Sequence, residues 1–132
     1  MKKSKILIVD DDARISGLLH ALLEKAGGYE VKEENRSFAA LATARHFRPD
    51  LVVMDVDMPG KSGGDVAREL NADPILANTP VLFVTSLLPR DECGIDLVMR
   101  GNQQFLSKPV DPRSLLRVVQ GLLGQPAVQT AA

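Results

Sequence analysis

With 132 residues, the chain has room for one domain built around a single core. It is 45% hydrophobic and 25% charged with a net charge of -1, so it lacks the basic excess expected of a protein that binds nucleic acid or an anionic membrane surface. One cysteine, Cys93, excludes an internal disulfide framework, no stretch approaches the roughly 18 apolar residues of a membrane span, and Lys2, Lys3 and Lys5 lead into a strand rather than a signal peptide; the chain reads as cytoplasmic.

Lys5 to Val9 is an aliphatic, partly β-branched run that reads as a buried strand ending in Asp10-Asp11-Asp12. Ile15, Leu18, Leu19, Leu22 and Leu23 then fall on one apolar helical face, with Asp12 or Asp11 as N-cap and Gly27-Gly28 as the stop. Tyr29 to Glu33 alternates and is mostly polar, as an edge strand would be. Ser37 is the expected cap of a second helix carrying Phe38, Leu41, Ala44 and Arg45, which must end before Pro49. Leu51-Val52-Val53-Met54-Asp55 follows, an apolar run bounded by Pro49 and by Pro59-Gly60; such a run fits a strand buried on both faces. After a Gly- and Pro-rich loop to Gly64, a third helix is expected from about Asp65 to Leu70, stopped near Pro74. Pro80 opens the strand Val81 to Thr85. Between Ser86 and Gly101, Ile95, Leu97, Val98 and Met99 suggest a helix that Pro89 and Gly94 weaken. Gln104-Phe105-Leu106 is a brief strand before Ser107-Lys108-Pro109. Asp111 and Pro112 open a last helix that buries Leu115, Val118, Val119 and Leu122, and Gly124 with Pro126 stops it.

Strands and helices thus alternate through short connections, which predicts an α/β fold with a parallel sheet and helices on both faces. In such a sheet the carboxyl ends of the strands share one edge, where open α/β folds bind ligands. Asp10, Asp11, Asp55, Thr85 and Lys108 all lie at or within a residue or two of a strand's carboxyl end. Two carboxylates about 4 Å apart repel by roughly 4 kcal/mol at an effective dielectric near 20, so three beside one lysine call for a cation. Mg2+ suits an all-oxygen site that uses few carboxylates. Phosphoryl oxygens could then be held by the metal, Lys108 and Thr85, with Asp55 as the nucleophile that forms an acyl phosphate.

The strings ILIVDDD, DLVVMDVDMPGKSG, PVLFVTS and FLSKP resemble those of the CheY-like receiver domain of two-component response regulators, and the resemblance runs from about Lys5 to Leu123. It implies a single (βα)5 doubly wound, flavodoxin-like domain with a five-stranded parallel sheet of order 2-1-3-4-5, spanning residues 1–124 and followed by a flexible tail, 125–132. It also implies site roles. Asp55 resembles the phosphoacceptor, and Asp10 and Asp11 the acidic pair, with Asp11 the direct Mg2+ ligand. The backbone carbonyl of Asp57 completes the ligand set with Asp55. Thr85 resembles the switch hydroxyl, Lys108 the phosphoryl-pairing lysine ahead of a cis bond to Pro109, and Phe105 the aromatic switch residue. The implied function is a phosphoacceptor switch rather than an enzyme, beyond its own phosphorylation and dephosphorylation. A histidine kinase or histidine phosphotransfer protein is the implied donor, with a downstream protein partner and no nucleic acid or membrane; homodimer formation is left open. Ser86, Asp57 and the stretch Leu87 to Gln104 depart from the family pattern.

Each residue also has a plainer reading. Asp10 and Asp11 could merely cap the first helix, Thr85 end a strand, Phe105 fill the core, Asp57 be a solvated loop acid and Cys93 be inert packing. His20 and His46 read as surface residues without a facing partner. A different chemistry is the Mg-dependent phosphatase of haloacid-dehalogenase type, in which Asp55 and Asp57 would form an Asp-x-Asp pair. Met58-Pro59 and the upstream position of Asp10-Asp11 argue against it.

Overall fold

The computed structural model describes residues 3–85, 97–100 and 103–124. Its elements are β1 (Ser4–Val9), α1 (Ala13–Ala26), β2 (Tyr29–Glu34), α2 (Ala40–Phe47) with a preceding 3-10 turn at Ser37–Ala39, β3 (Leu51–Met54), α3 (Gly63–Ala72), β4 (Val81–Thr85), β5 (Leu97–Arg100), β6 (Gln103–Ser107) and α4 (Pro112–Leu122). The sheet order is β2-β1-β3-β4-β6-β5. Five strands run parallel in the expected 2-1-3-4-5 order, with β6 as the fifth, and β5 adds an antiparallel edge.

The side chains of the inner strands alternate between two cores, as a pleated strand requires. Leu7, Val9, Val52, Met54, Val81 and Phe83 pack with α2 and α3. Ile6, Ile8, Leu51, Val53, Leu82, Val84 and Leu106 pack with α1 and α4. Because both faces are covered, β1, β3 and β4 are continuous apolar runs rather than alternating ones.

Four expectations need correction. Leu97 to Met99 belong to strand β5, paired with β6, not to a helix. Three apolar residues in a row carry no helical period, and Gly101-Asn102 is a hairpin-type dipeptide in the sequence. Ser86, Pro89, Cys93, Gly94, Ile95 and the tail from residue 125 lie outside the described residues. Ser37 does not cap α2: it sits buried inside the 3-10 turn, and its hydroxyl donates to the Pro59 carbonyl at 2.9 Å, tying that turn to the loop after β3. Phe38 is consequently 69% exposed. Leu18 is 55% exposed, because α1 turns the stripe of Ser16, Leu19 and Leu23 to the sheet and leaves Ile15 and Leu22 at the margin.

His20 is not a partnerless surface residue. Its Nδ1 lies 2.7 Å from Glu33 on β2, and its Nε2 lies 3.0 Å from Glu24 one turn along α1. His46 is exposed, as expected. Burial tends to lower the His20 pKa, but hydrogen bonds and charge from Glu24 and Glu33 outweigh it, and the net shift is upward from 6.5.

Past the carboxyl end of β3, α3 starts hard against the chain that leaves that strand. Ser62 caps the helix by accepting from the Asp65 N–H. The Gly63 N–H donates to the Val56 carbonyl at 2.8 Å. A Cβ on Gly63 would stand 2.3 Å from the Asp55 carbonyl oxygen and 2.9 Å from the Val56 Cα, both backbone atoms that cannot swing aside.

Gly63→Ala is therefore expected to destabilise the fold by about 1–3 kcal/mol, the usual cost of overpacking, as measured by urea denaturation. His20→Gln tests the histidine pair. A raised histidine pKa stabilises the fold fully below the unfolded-state value of 6.5, and this contribution is lost as pH rises through the folded value. The melting-temperature gap between wild type and His20→Gln should thus be widest near pH 5.5 and narrow towards pH 9.

Candidate functional site

The site forms where β1, β3, β4 and β6 end. Asp10 follows β1, its N–H donating to the Glu34 carbonyl at 3.2 Å. Asp55 follows β3, its N–H donating to the Val9 carbonyl at 3.0 Å. The ladder that pairs Val9 with Met54 therefore places the first acid beside the third strand's acid. Oxygen atoms of Asp10, Asp11 and Asp55 all come within 4.8 Å of one another. Asp10 and Asp55 are 2% and 8% exposed, whereas Asp11 opens to solvent. Asp12, not Asp11, caps α1, accepting from the Arg14 N–H.

Lys108 comes from the far side of the sheet. Its Nζ is 3.3 Å from Asp10 Oδ2 and 3.6 Å from Asp55 Oδ1. The Lys108 N–H donates to the Thr85 carbonyl at 3.0 Å, so the lysine and Thr85 are fixed to each other through the end of the β4–β6 ladder. The Lys108–Pro109 bond is cis, as expected. Thr85 is buried at the end of β4. Phe105, on β6, is half-buried, and its ring stacks on Phe83 at 4.8 Å between centroids, which puts it against the core shared by α2 and α3. Asp57 is exposed, and its side chain is not part of the acid cluster.

The electrostatics follow from this packing. Burial pushes the Asp55 carboxyl above its usual pKa. Lys108 pulls it back, Asp10 raises it further, and the N–H groups of Asp57 and Val56 pull it down; the net shift is upward. One ammonium faces two buried carboxylates and a third at the rim. The donor set is all oxygen and holds excess negative charge, which fits a hard divalent cation such as Mg2+, and Asp10, Asp11 and Asp55 are the residues that could hold it.

All five residues that sequence reasoning assigned to one sheet edge are brought there. Gly63 and Asn35 were missed. Gly63 stood in a Gly-rich loop whose composition signals a turn but not a contact. Asn35, whose amide donates to the Asp10 carbonyl at 2.7 Å, follows a polar edge strand and carries no pattern at all.

Residues 6–120 match the family described as the response regulator receiver domain. The chain is 37% identical over 123 residues to the protein PilH of Pseudomonas aeruginosa, covering 91% of this chain and 98% of PilH. It is 34% identical over 118 residues to the phosphate regulon transcriptional regulatory protein PhoB of the same organism, covering 89% of this chain but only 51% of PhoB. Among solved structures, the chemotaxis response regulator CheY4 of Vibrio cholerae superposes with a TM-score of 0.75 at 28% identity, covering 92% of this chain and 99% of that one. Receiver domains are phosphoacceptor signalling switches that interact with histidine kinases or phosphotransfer proteins and bind Mg2+ at an acidic pocket. Neither the family match nor these relatives support the phosphatase alternative, and the exposed Asp57 side chain lies outside the acid cluster that such an enzyme would build with Asp55. By its matched residues, its fold and its relatives, the chain belongs to the response regulator receiver domain family.

Proposed function

We propose that Asp55 is the phosphoacceptor of this switch, served by Asp10, Asp11, Thr85 and Lys108. The observation that carries this reading is the convergence of three carboxylates with one lysine on the sheet edge. A phosphohistidine on the donor protein meets the Asp55 carboxylate; the new Oδ–P bond forms as the P–N bond breaks, and the leaving imidazole takes up a proton. Asp10 and Asp11, with Asp55 and the backbone carbonyl of Asp57, would hold Mg2+, which when bound offsets the carboxylate charge and takes phosphoryl oxygens. Lys108 lies within reach of both buried acids and is placed to pair with an incoming phosphoryl oxygen.

Phosphorylation adds negative charge and acceptor oxygens at Asp55. Thr85, buried at the adjacent strand end, is the switch hydroxyl in this reading, and a shift there would be passed to the neighbouring strand β6, which carries Phe105. A coupling of about 1–3 kcal/mol between the site and a partner-binding surface would change partner affinity roughly 5–150-fold. The alternation of one phosphorylation with one hydrolysis is expected, not repeated turnover of a free phosphate ester.

Two measurements test this. Wild type at a Mg2+ concentration about 100 times its dissociation constant should gain about 2.7 kcal/mol of stability, and Asp55→Asn should gain far less. Wild type should also take up beryllofluoride in the presence of Mg2+ and accept a phosphoryl group from a phosphohistidine donor, whereas Asp55→Asn should do neither. Phosphotransfer that survives in Asp55→Asn rules out the assignment.

A further inference from the structure

A line of hydrogen bonds runs from the back of the acid pocket to the surface of α1. The Asn35 amide nitrogen donates both to the Asp10 carbonyl at 2.7 Å and to Ser16 Oγ at 2.8 Å. Ser16 is fully buried, and its hydroxyl donates to Glu33 Oε1 at 2.8 Å. The other oxygen of Glu33 is held by His20 at 2.7 Å. A fully buried serine on the sheet-facing stripe of α1 is an expensive choice for a helix that packs mainly through leucines, since a hydroxyl in an apolar site must be paired. Here it is paired to the residue that touches Asp10.

Asp10 is fixed at three points. Its N–H donates to the Glu34 carbonyl, its side chain accepts from the Asp12 N–H at 2.9 Å and meets Lys108, and its carbonyl accepts from Asn35. The last of these matters for the next residue. The Asp10 carbonyl belongs to the planar peptide that leads into Asp11, so holding that oxygen sets the tilt of the plane and hence where the Asp11 Cβ is aimed. Asp11 is exposed at the rim, so the aim of its backbone decides how its carboxylate meets Asp10 and Asp55.

We propose that Asn35 is a positioning residue for the cation site: it orients the Asp10–Asp11 peptide, and Ser16, braced by Glu33 and His20, holds Asn35 in place. The inference rests on the reading that Asp10, Asp11 and Asp55 take Mg2+. Hydrogen-bonded groups one step behind metal ligands typically change metal affinity 10- to 100-fold when removed, and the lower end suits a contact made to backbone.

The test is Mg2+ titration by calorimetry of the whole chain, with melting curves of each variant without metal. Asn35→Ala should weaken Mg2+ about 10-fold. Ser16→Ala should weaken it by a smaller factor in the same direction, and the double variant should be no weaker than Asn35→Ala alone, because Ser16 acts only through Asn35. Such non-additivity in affinity, against separate losses of melting temperature, is not produced by a merely structural role. Wild-type Mg2+ affinity in Asn35→Ala, or losses that multiply in the double variant, would overturn the inference while leaving the metal site intact. A wild-type chain that takes no Mg2+ would overturn both, and an Asp11→Ala control that abolishes binding while Asn35→Ala keeps the wild-type affinity would isolate the failure to Asn35.

Discussion

Mutual repulsion among Asp10, Asp11 and Asp55 is the constraint the rest of the molecule has to answer. Two such charges at about 4 Å cost roughly 4 kcal/mol at an effective dielectric near 20, and Lys108 compensates for only part of that. Nothing in the acids' own chemistry would keep them together. They are held by backbone: the β1–β3 ladder fixes Asp55 to Val9, and the β1–β2 edge fixes Asp10 to Glu34. Behind the ladders stand two apolar cores, one on each face, that make a shift of β1 relative to β3 very costly. The cores thus hold the acids together against their repulsion, and a bound cation would relieve it.

The same arrangement explains which parts of the molecule were legible in the sequence. β1, β3 and β4 are buried on both faces, so their residues are uniformly apolar, and the acids and Thr85 that interrupt them mark the strand ends. A reader of the sequence could find the site because burial forbids charge everywhere except at the functional edge. Where burial is partial, the signal weakens. The leucines of α1 read as one apolar face, and only packing shows that Leu18 faces out. Ser37 had the composition of a cap but was drawn off by the Pro59 carbonyl. Leu97 to Met99 lacked any period, and their strand is defined by its partner β6. The Asn35 side chain and the Gly63 Cα each meet the backbone of a residue distant or turned back in the chain, and neither a periodicity nor a motif encodes such a contact.

Within the site the roles divide by depth. Asp10 is enclosed and held by four neighbours, Glu34, Asp12, Asn35 and Lys108, so it is the most fixed of the three acids. Asp55 is enclosed, and burial with the neighbouring Asp10 raises its pKa although Lys108 pulls it back. Asp11 faces water, where a hydrated cation would first arrive. Phe105 and Phe83, stacked on the face of α2 and α3, lie on the side of the sheet from which a change at Thr85 would be felt.

The distance along the chain between the pocket's parts has a bearing on biosynthesis. Asp10 and Lys108 lie 98 residues apart in sequence yet touch in the fold. A growing polypeptide that has already emerged through β4 would carry all three acids without the ammonium that offsets them. The ammonium that offsets part of their repulsion follows β6 directly, so the pocket's charge balance depends on the segment of the site that is made last.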